Sequence, residues 1–286
     1  MKNREARRKS ILMKIAQIYY EGSFHLGIAH GDHIGPLEFS GNMTDYINNR
    51  QLHGSEREGA SLPMDLLRFA PALPLSSKII AIGLNYEDHV EESKGQIPKT
   101  PIVFAKFSSS LLGHRESITW RSAMTTKVDF EAELAVIIGE KTSQCPEEKA
   151  MEKVFGYTCA NDVSARDLQF GDGQWVRGKS LDTFCPLGPW IVTSDEIQDP
   201  HDLAIKCTLN GITMQDSSTK AMVFGVPRLI SHLSQYFTLM PGDVILTGTP
   251  AGVGAFRDPP IYLKNGDSVS VEIEKIGTLT NRCQVL

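Results

Sequence analysis

The sequence predicts a mixed, mainly β (α+β) fold, because extended apolar runs outnumber the segments with helical spacing. Runs of strand type dominate the chain after Pro74, and only two segments show the apolar spacing of a helix. At 286 residues the chain is long enough to bury a large core, as one large domain or as one with a small appendage. The strands predicted after Pro74 are residues 78–83, 102–106, 130–139, 204–209, 244–247 and 268–273.

The chain begins with an unusually basic leader, residues 1–12, which is followed by Met13 and a segment that resembles a native start. A targeting signal would need a longer apolar or amphipathic stretch after the charges. We therefore favour an upstream start or a frayed leader, and a membrane or import role is the alternative.

Two short extended runs, 15–20 and 25–30, follow the leader and alternate with glycine turns. A passage with two prolines and two serines then has the composition of a linker. We place a boundary at Pro74, which predicts an N-terminal domain of residues 1–74 and a second domain of residues 75–286.

The two helical patterns lie in the second domain. Residues 147–154 begin with acidic side chains and continue with apolar spacing. Residues 226–234 place Leu229, Ile230 and Leu233 at helical spacing. Both segments are therefore predicted as helices.

Composition is typical of a soluble enzyme and narrows the class of partner. A net charge of −5 and a pI near 5.9 disfavour nucleic acid as a partner. No apolar run approaches the roughly 18 residues of a membrane helix, so no membrane partner is expected. The five cysteines are odd in number and show no spacing pattern, which favours reduced thiols and a cytoplasmic location.

Two carboxylates lie two residues apart in the predicted strand 130–139. Glu131 and Glu133 would point to the same face of that strand, with Ala135 and Ile137 continuing the face. Two like charges at this spacing are costly inside a fold unless something positive holds them. A divalent cation would do so, whereas the alternative is an edge strand with one solvated face.

A third carboxylate, Asp162, follows a short predicted strand and would complete an all-oxygen site. Hard oxygen ligands suit Mg²⁺ or Mn²⁺. Zinc is disfavoured because no Cys-x-x-Cys or His-x-x-x-His pair occurs, and the calcium-loop pattern is absent. The predicted cofactor is therefore Mg²⁺ or Mn²⁺ on Glu131, Glu133 and Asp162.

A possible acid–base pair lies earlier in the chain. His89 and Glu92 are three residues apart, so they share a face on a helical turn. Glu92 could orient the imidazole while His89 takes a proton from water. The alternative is a surface pair on a helix without a catalytic role.

Five separated motifs together resemble the fumarylacetoacetate hydrolase family, and the match runs from about Lys78 to the C-terminus. Within the family, the resemblance is closest to the branch of bacterial proteins and of proteins that are similar to fumarylacetoacetate hydrolase domain-containing protein 2. The motifs are Gly83-Leu84-Asn85-Tyr86-Glu87-Asp88-His89, Asp129-Phe130-Glu131-Ala132-Glu133-Leu134, Asn161-Asp162-Val163-Ser164-Ala165-Arg166-Asp167, Arg177-Gly178-Lys179-Ser180-Leu181-Asp182 and Thr247-Gly248-Thr249-Pro250-Ala251-Gly252-Val253-Gly254.

The resemblance implies a small N-terminal β-rich domain, a catalytic domain built as a rolled mixed β-sandwich, and a homodimer. It also implies that His89 and Glu92 are the catalytic pair of a mobile lid, and that Lys179 points into the site rather than into solvent. By the same resemblance, Gln169 corresponds to a residue that contacts the substrate in this family.

Three further residues are assigned to substrate binding or its support. Arg166 would support the carboxylates, and Lys106 would add electrostatic support. Thr249 lies in a glycine-rich turn and could offer its hydroxyl and backbone N–H to a substrate carboxylate. The turn also has a purely structural explanation, which does not exclude the first.

The walls of the substrate pocket are less well defined by the sequence. The loop 170–174 is expected to contribute to them, but its course does not follow from the sequence. Trp120, Trp175 and Trp190 are expected in the core or an interface rather than as stacking platforms. Substrate length is therefore not determined.

The predicted activity is cleavage of a C–C bond in a small 2-oxo or β-diketo acid, with a cation stabilising the enolate that cleavage leaves. The first hypothesis is an acylpyruvate-type hydrolase, because His89 and Glu92 could activate water. Oxaloacetate decarboxylation and isomerisation or tautomerisation of a hydroxydienoate are alternatives that use the same enolate. A non-enzymatic alternative is a metal-stabilised dimeric scaffold.

Overall fold

Strands make up most of the regular structure in the computed structural model, which describes residues 13–49, 57–74, 76 and 78–286. The basic leader lies outside these residues. The mixed, mainly β fold class is confirmed. The strands are β1 (Lys14–Tyr20), β2 (Ser23–His30), β3 (His33–Pro36), β4 (Leu62–Pro63), β5 (Arg68–Phe69), β6 (Ile79–Gly83), β7 (Ile102–Lys106), β8 (Leu111–Leu112), β9 (Ser117–Trp120), β10 (Val128–Asp129), β11 (Ala132–Ile138), β12 (Val154–Asn161), β13 (Ser164–Ala165), β14 (Cys185–Thr193), β15 (Ala204–Leu209), β16 (Ile212–Ser218), β17 (Val244–Leu246), β18 (Ser268–Ile273) and β19 (Gly277–Val285).

Helices are short, and the described residues include none that is long and apolar enough to cross a bilayer. The α-helices are α1 (Met43–Asn48), α2 (Glu87–Glu92), α3 (Arg166–Gly171), α4 (Val176–Lys179) and α5 (Val226–Tyr236). Single turns of 3₁₀-helix lie at Met64–Leu66, Ser108–Ser110, Ser194–Glu196, Thr219–Ala221 and Gly254–Phe256, and a longer 3₁₀ segment at Glu147–Lys153. The helix predicted at 226–234 is α5, whereas the one predicted at 147–154 is this 3₁₀ segment.

The main sheet has the strand order β4-β3-β2-β1-β14-β12-β11-β17-β6-β7, with β5 beside β1 and β8 beside β14. A second sheet has the order β16-β15-β18-β19-β9, and β10 pairs with β13. Strand β11 lies in the middle of the main sheet and is buried along its whole length. Its alternate residues enter two different hydrophobic clusters: Leu134 and Val136 join the one shared with the second sheet, and Ala135 and Ile137 join the other. This alternation follows from the two-residue period of a strand that is covered on both faces.

The N-terminal strands are continuous with the rest of the main sheet. Lys14 of β1 pairs with Val192 of β14, and Ile15 lies in the same hydrophobic cluster as Ile137. Residues on the two sides of Pro74 thus share one sheet and one cluster. The domain boundary at Pro74 stays a prediction.

Of the six strands predicted after Pro74, five agree with the structure to within one residue, and the sixth requires a correction. Strand β11 starts at Ala132, so Glu131 precedes it and does not share a strand face with Glu133. The physical reason is that side chains take the backbone N–H groups just before β11. Phe130 N donates to the Asp129 carboxylate, and Glu131 N donates to the side-chain oxygen of Asn161. The five strands that agree are β6, β7, β15, β17 and β18.

The five cysteines are all buried free thiols. Burial raises the pKa of the Cys159 and Cys185 thiols to about 12, which keeps them protonated and unreactive. A cytoplasmic location stays a prediction.

Candidate active site

Three buried carboxylates meet where β11 begins and β12 ends. The two strands are antiparallel neighbours, and the register places Ala132 opposite Asn161. Glu131 directly precedes β11, Glu133 lies at its start, and Asp162 directly follows β12, so their ligand atoms come within 4.8 Å of one another. The structure therefore brings together the three predicted metal ligands, although Glu131 reaches the site from outside the strand.

Three cationic side chains surround two of these carboxylates. Lys179 Nζ, on α4, lies 2.8 Å from Glu131 Oε2 and 2.7 Å from Asp162 Oδ2. Lys106 Nζ, on β7, is 2.5 Å from the other oxygen of Asp162. Arg166, at the start of α3, contacts Glu131 Oε1 at 2.6 Å. Buried ion pairs of this kind hold their members in fixed geometry, because removing one partner would leave a buried charge uncompensated.

The environment shifts the pKa of Glu131 and Lys179 toward their charged forms. Burial acts to raise the pKa of Glu131, but Lys179, Arg166 and His89 more than offset it and hold the pKa at about 2. Burial acts to lower the pKa of Lys179, but the charges of Asp162 and Glu131 outweigh it and raise that pKa. Both groups are therefore charged at neutral pH.

Glu133 is the exception among the three carboxylates. It is 1% exposed, and within the part of the chain that the structure describes it has no ion-pair partner. Burial, with the charges of Asp162 and Glu131, raises its pKa well above the usual value. Its carboxylate accepts a hydrogen bond from the backbone N–H of Gly248, at 2.8 Å. A buried carboxylate without a cation, beside two others, fits a divalent metal, and the all-oxygen ligand set suits Mg²⁺ or Mn²⁺.

The predicted acid–base pair lies on α2. His89 Nδ1 is 2.7 Å from Glu92 Oε1, and the other carboxylate oxygen of Glu92 accepts the N–H of Gly252 at 2.8 Å. Because a carboxylate only accepts hydrogen bonds, Nδ1 must carry the hydrogen, which leaves Nε2 with its lone pair in the neutral ring. His89 is 7% exposed, and it lines the cavity described below.

A glycine-rich loop, residues 248–255, connects this pair to the carboxylates. Its backbone N–H groups hold three acidic side chains: Gly248 holds Glu133, Gly252 holds Glu92, and Gly254 with Ala255 holds Asp129. Gly252 has φ +101°, and a Cβ there would lie 2.2 Å from the carbonyl oxygen of Met214. Only glycine fits this position.

A cavity of about 240 Å³ lies between α2, α3 and α4 and reaches Glu131, one of the three carboxylates. Its polar lining is His89, Ser93, Glu131, Arg166, Gln169, Lys179 and Thr249. Its apolar lining is Ile82, Leu84, Phe104, Phe170, Trp175 and Phe256. Trp175 was expected in the core or an interface, but it is partly exposed and forms part of this wall.

The residues assigned to substrate binding have different positions in the structure. Arg166 and Gln169 line the cavity and are joined, because the guanidinium group donates to the Gln169 side-chain oxygen at 3.0 Å. The Thr249 hydroxyl donates to the backbone oxygen of Ala132 and is therefore not available as a donor to substrate. Its backbone N–H has no acceptor among the described residues. Lys106 does not line this cavity, and its ammonium group donates to Asp162 and to the backbone oxygen of Val163.

Two buried polar residues support the site but received no role from the sequence. Asp129 accepts from the Arg166 guanidinium at 2.8 Å, so it fixes the group that contacts Glu131. Gln215 accepts from the Ala132 N–H and donates to Thr249 Oγ1 at 2.8 Å. Asp129 could have been suspected because it begins the acidic motif, whereas Gln215 lies on β16 with no local signal.

Residues 78–284 match the model for the C-terminal domain of fumarylacetoacetate (FAA) hydrolase. The rat protein named mitochondrial oxaloacetate tautomerase Fahd2a is 48% identical over 222 residues, which cover 77% of this chain and 71% of that protein. Its Xenopus laevis counterpart is 52% identical over 206 residues, or 71% and 64% of the two chains.

Two solved structures are similar over nearly the whole chain. The fumarylacetoacetate hydrolase of psychrophilic Exiguobacterium antarcticum has a TM-score of 0.85 and 36% identity, and covers 96% of this chain and 100% of its own. The 2-hydroxyhepta-2,4-diene-1,7-dioate isomerase of Mycobacterium marinum has a TM-score of 0.79 and 35% identity, covering 95% and 98%.

Proposed function

Because the chain belongs to the fumarylacetoacetate hydrolase family, we propose that it catalyses, with a divalent cation, the interconversion of the enol and keto forms of a small 2-oxo acid. Oxaloacetate is the first candidate substrate. The chain is an enzyme of this family, and the choice of reaction within it is the proposal. The acylpyruvate hydrolysis expected from the sequence becomes the second candidate.

The observation that carries the proposal is one oriented imidazole on the wall of a cavity that reaches Glu131, one of the three clustered carboxylates. His89 is held through Nδ1 by Glu92, and Nε2 has no protein partner among the described residues. The same cavity is lined by Glu131 and by Lys179. A site that moves one proton at carbon needs one acid–base group, a counter-charge for the developing oxyanion, and exclusion of water.

A divalent cation held by Glu131, Glu133 and Asp162 would act as a Lewis acid that polarises the 2-oxo acid and makes its C3–H bond more acidic. From the keto form, His89 Nε2 would take the proton from C3, while Lys179 balances the charge on the oxygen. In the reverse direction the protonated imidazole returns a proton to C3 and the enol O–H proton is released. No atom other than hydrogen moves, and no oxidant or reductant is needed.

Names of the relatives support this choice of reaction. The rat and Xenopus proteins, at 48% and 52% identity, are both named oxaloacetate tautomerase. The Mycobacterium marinum structure, at 35% identity, is named an isomerase. Isomerisation of such a dienoate also moves a proton along an enol system, so it requires the same acid–base group.

The test is to follow loss of the oxaloacetate enol by its ultraviolet absorbance, with Mg²⁺ or Mn²⁺ present and with the metal removed. We expect metal-dependent acceleration, and we expect His89→Gln to lower kcat by about 10²–10⁴ while Mn²⁺ affinity is retained. His232→Gln is the matched control, because His232 lies on α5 and does not line the cavity. Enol loss at the buffer rate with the metal-loaded protein would refute the proposal.

Hydrolysis is a second candidate because the His89–Glu92 pair could deprotonate a water instead of carbon. Incubation of the loaded protein with acetylpyruvate tests it, since cleavage would yield acetate and pyruvate. Release of CO₂ and pyruvate from oxaloacetate would instead identify decarboxylation. Both product assays use the same metal-loaded protein as the enol assay.

A further inference from the structure

The lining of the cavity changes from charged side chains near Glu131 to aromatic rings farther away. Lys179 Nζ is bonded to Glu131 and lies 5.3 Å from the centre of the Phe104 ring. Phe104 contacts Trp175 edge-on, with ring centres 5.3 Å apart. The outer part of the cavity is therefore bounded by aromatic rings, whereas the inner part holds the charges.

Trp175 occupies a place that only a glycine leaves open. A Cβ on Gly83 would lie 2.5 Å from Cζ3 and 2.9 Å from Cη2 of the indole. The indole therefore lies directly over the backbone at the end of β6. Because Phe104 contacts it from β7, the position of the ring is set by two adjacent strands of the main sheet.

The outer part of the cavity offers no cation to a second carboxylate of a substrate. Within the described part of the chain, the lysine and arginine side chains that line the cavity are Lys179 and Arg166. Both are already paired, Lys179 with Glu131 and Asp162, and Arg166 with Glu131 and Asp129. A charged group placed among the aromatic rings would lose its hydration without compensation, whereas an apolar group would gain from burial.

We infer that the site takes 2-oxo acids with an apolar or aromatic group on C3. In this inference the specificity-determining residue is Trp175, whose indole lies over Gly83. The inference rests on the proposed function, because the 2-oxo acid end is the part that would meet the carboxylates. An aromatic group on C3 would pack against Trp175 and Phe104. Oxaloacetate remains a substrate because its C3 substituent, a carboxylate, can stay beside polar side chains of the same lining such as Ser93 and Gln169, but it forgoes burial against the aromatic rings.

The chemistry is unchanged by this substituent. A proton leaves the enol oxygen and one is added at C3, so atoms and electrons balance as they do for oxaloacetate. The aromatic group takes no part in the transfer. Its effect is on binding and orientation of C3 toward His89.

The experiment compares kcat/KM for enol–keto conversion of phenylpyruvate and of oxaloacetate, with Mn²⁺-loaded protein. We expect the wild-type protein to convert both, and Trp175→Ala to lower the ratio of phenylpyruvate to oxaloacetate by about tenfold or more. Trp175→Phe should restore part of the ratio, since a smaller ring still packs on Phe104. Gly83→Ala should also lower the ratio, because the added Cβ displaces the indole without removing it.

Phe24→Ala is the control, since Phe24 is an exposed aromatic on β2 that does not line the cavity, and its ratio should equal that of the wild type. Conversion of oxaloacetate but not phenylpyruvate would overturn the inference and leave the proposed function intact. An unchanged ratio in Trp175→Ala would overturn the role of Trp175. Conversion of neither acid would refute the proposed function and the inference with it.

Discussion

At the scale of single residues, the site depends on how unequally three neighbouring carboxylates are neutralised. Glu131 and Asp162 have cationic partners within 2.8 Å, whereas among the described residues the hydrogen-bond partner of Glu133 is a backbone N–H. Like charges this close cannot all ionise in a buried site unless a cation is added. Glu133 is thus the residue whose charge state should respond most strongly to metal.

Glu133→Gln should separate metal binding from folding. Since the folded pKa of Glu133 is raised, the stability it contributes is present below pH 4.5 and is lost as pH rises through the folded pKa. Glutamine keeps an acceptor for Gly248 and removes the charge. At pH 8 we therefore expect the metal-free variant to have a higher Tm than the metal-free wild type.

The same variant should bind Mn²⁺ at least about 100-fold more weakly, because even changes beyond the ligands cost roughly 10–100-fold. Isothermal calorimetry and thermal unfolding with and without Mn²⁺ measure both effects. Glu272→Gln is the control, since Glu272 is exposed on β18. Wild-type affinity in Glu133→Gln would remove this residue from the metal site.

His114, which lies outside the site, should make the free energy of unfolding depend on pH. Burial, with a smaller effect of Arg115, lowers its pKa to about 4, and its Nδ1 accepts the N–H of Thr280 at 3.0 Å. A lowered pKa means that the contribution is present above pH 6.5 and is lost as pH falls toward 4. His114→Asn keeps an acceptor but does not titrate.

We expect the free energy of unfolding of the wild type to fall, relative to His114→Asn, by on the order of 3 kcal/mol between pH 6.5 and 4. Urea unfolding at several pH values measures the difference. Parallel pH profiles for the two proteins would contradict the role given to His114.

At the scale of elements, the glycine-rich loop 248–255 links parts of the site that come from distant segments. It holds Glu133 of β11, Glu92 of α2 and Asp129 of β10 through four backbone N–H groups. Strand β17 delivers this loop, and its pairing with β11 and β6 brings the loop to both the carboxylates and the start of α2. The loop therefore couples the orientation of the acid–base pair to the position of the carboxylates.

Gly252→Ala should disturb this coupling more than an equivalent change elsewhere. The new Cβ would meet the backbone of Met214, and the shift would remove the N–H that holds Glu92. We expect kcat to fall by at least about tenfold, as expected when an acid–base group loses its alignment. Gly266→Ala is the matched control, because Gly266 also has positive φ but has no atom within 4 Å of the added Cβ. Equal losses in the two variants would assign the effect to backbone strain alone.

At the scale of the whole molecule, the main sheet ends at β7 with an exposed apolar edge. Ile102 and Val103 are 36% and 39% exposed, and Phe107 beyond the strand is 59% exposed. Exposed edge strands with apolar side chains are prone to pair with another chain. The homodimer expected from the family resemblance would have a suitable surface here.

We predict that the protein is a dimer in solution and that Val103→Lys weakens it, because lysine on an edge strand opposes pairing. Light scattering coupled to size-exclusion chromatography at several concentrations measures the mass. Lys206→Glu on β15, in the second sheet, is a surface charge change that should leave the mass unaltered. A monomer at all concentrations would remove the dimer from consideration.

Much of the fold could be predicted from the sequence because most of the signals are local. Alternating and continuous apolar runs identified β6, β7, β15, β17 and β18, since a strand buries side chains with a period of two residues. The acidic start and apolar spacing of residues 147–154 indicate a helix but do not distinguish an α-helix from the 3₁₀ segment Glu147–Lys153 that forms. The distinction depends on packing against neighbouring elements.

By itself, the sequence determined the residue types of the site and their order: three carboxylates, one His–Glu pair and one lysine within recognisable motifs. Only the tertiary structure decided that Glu131 approaches from just before β11, that Lys106 neutralises Asp162, and that Trp175 covers Gly83. Long-range contacts of the site join residues between 17 and 160 positions apart, and pKa shifts and cavity walls depend on those contacts. Local pattern can specify a strand or a ligand type, but burial and distance are properties of the folded chain.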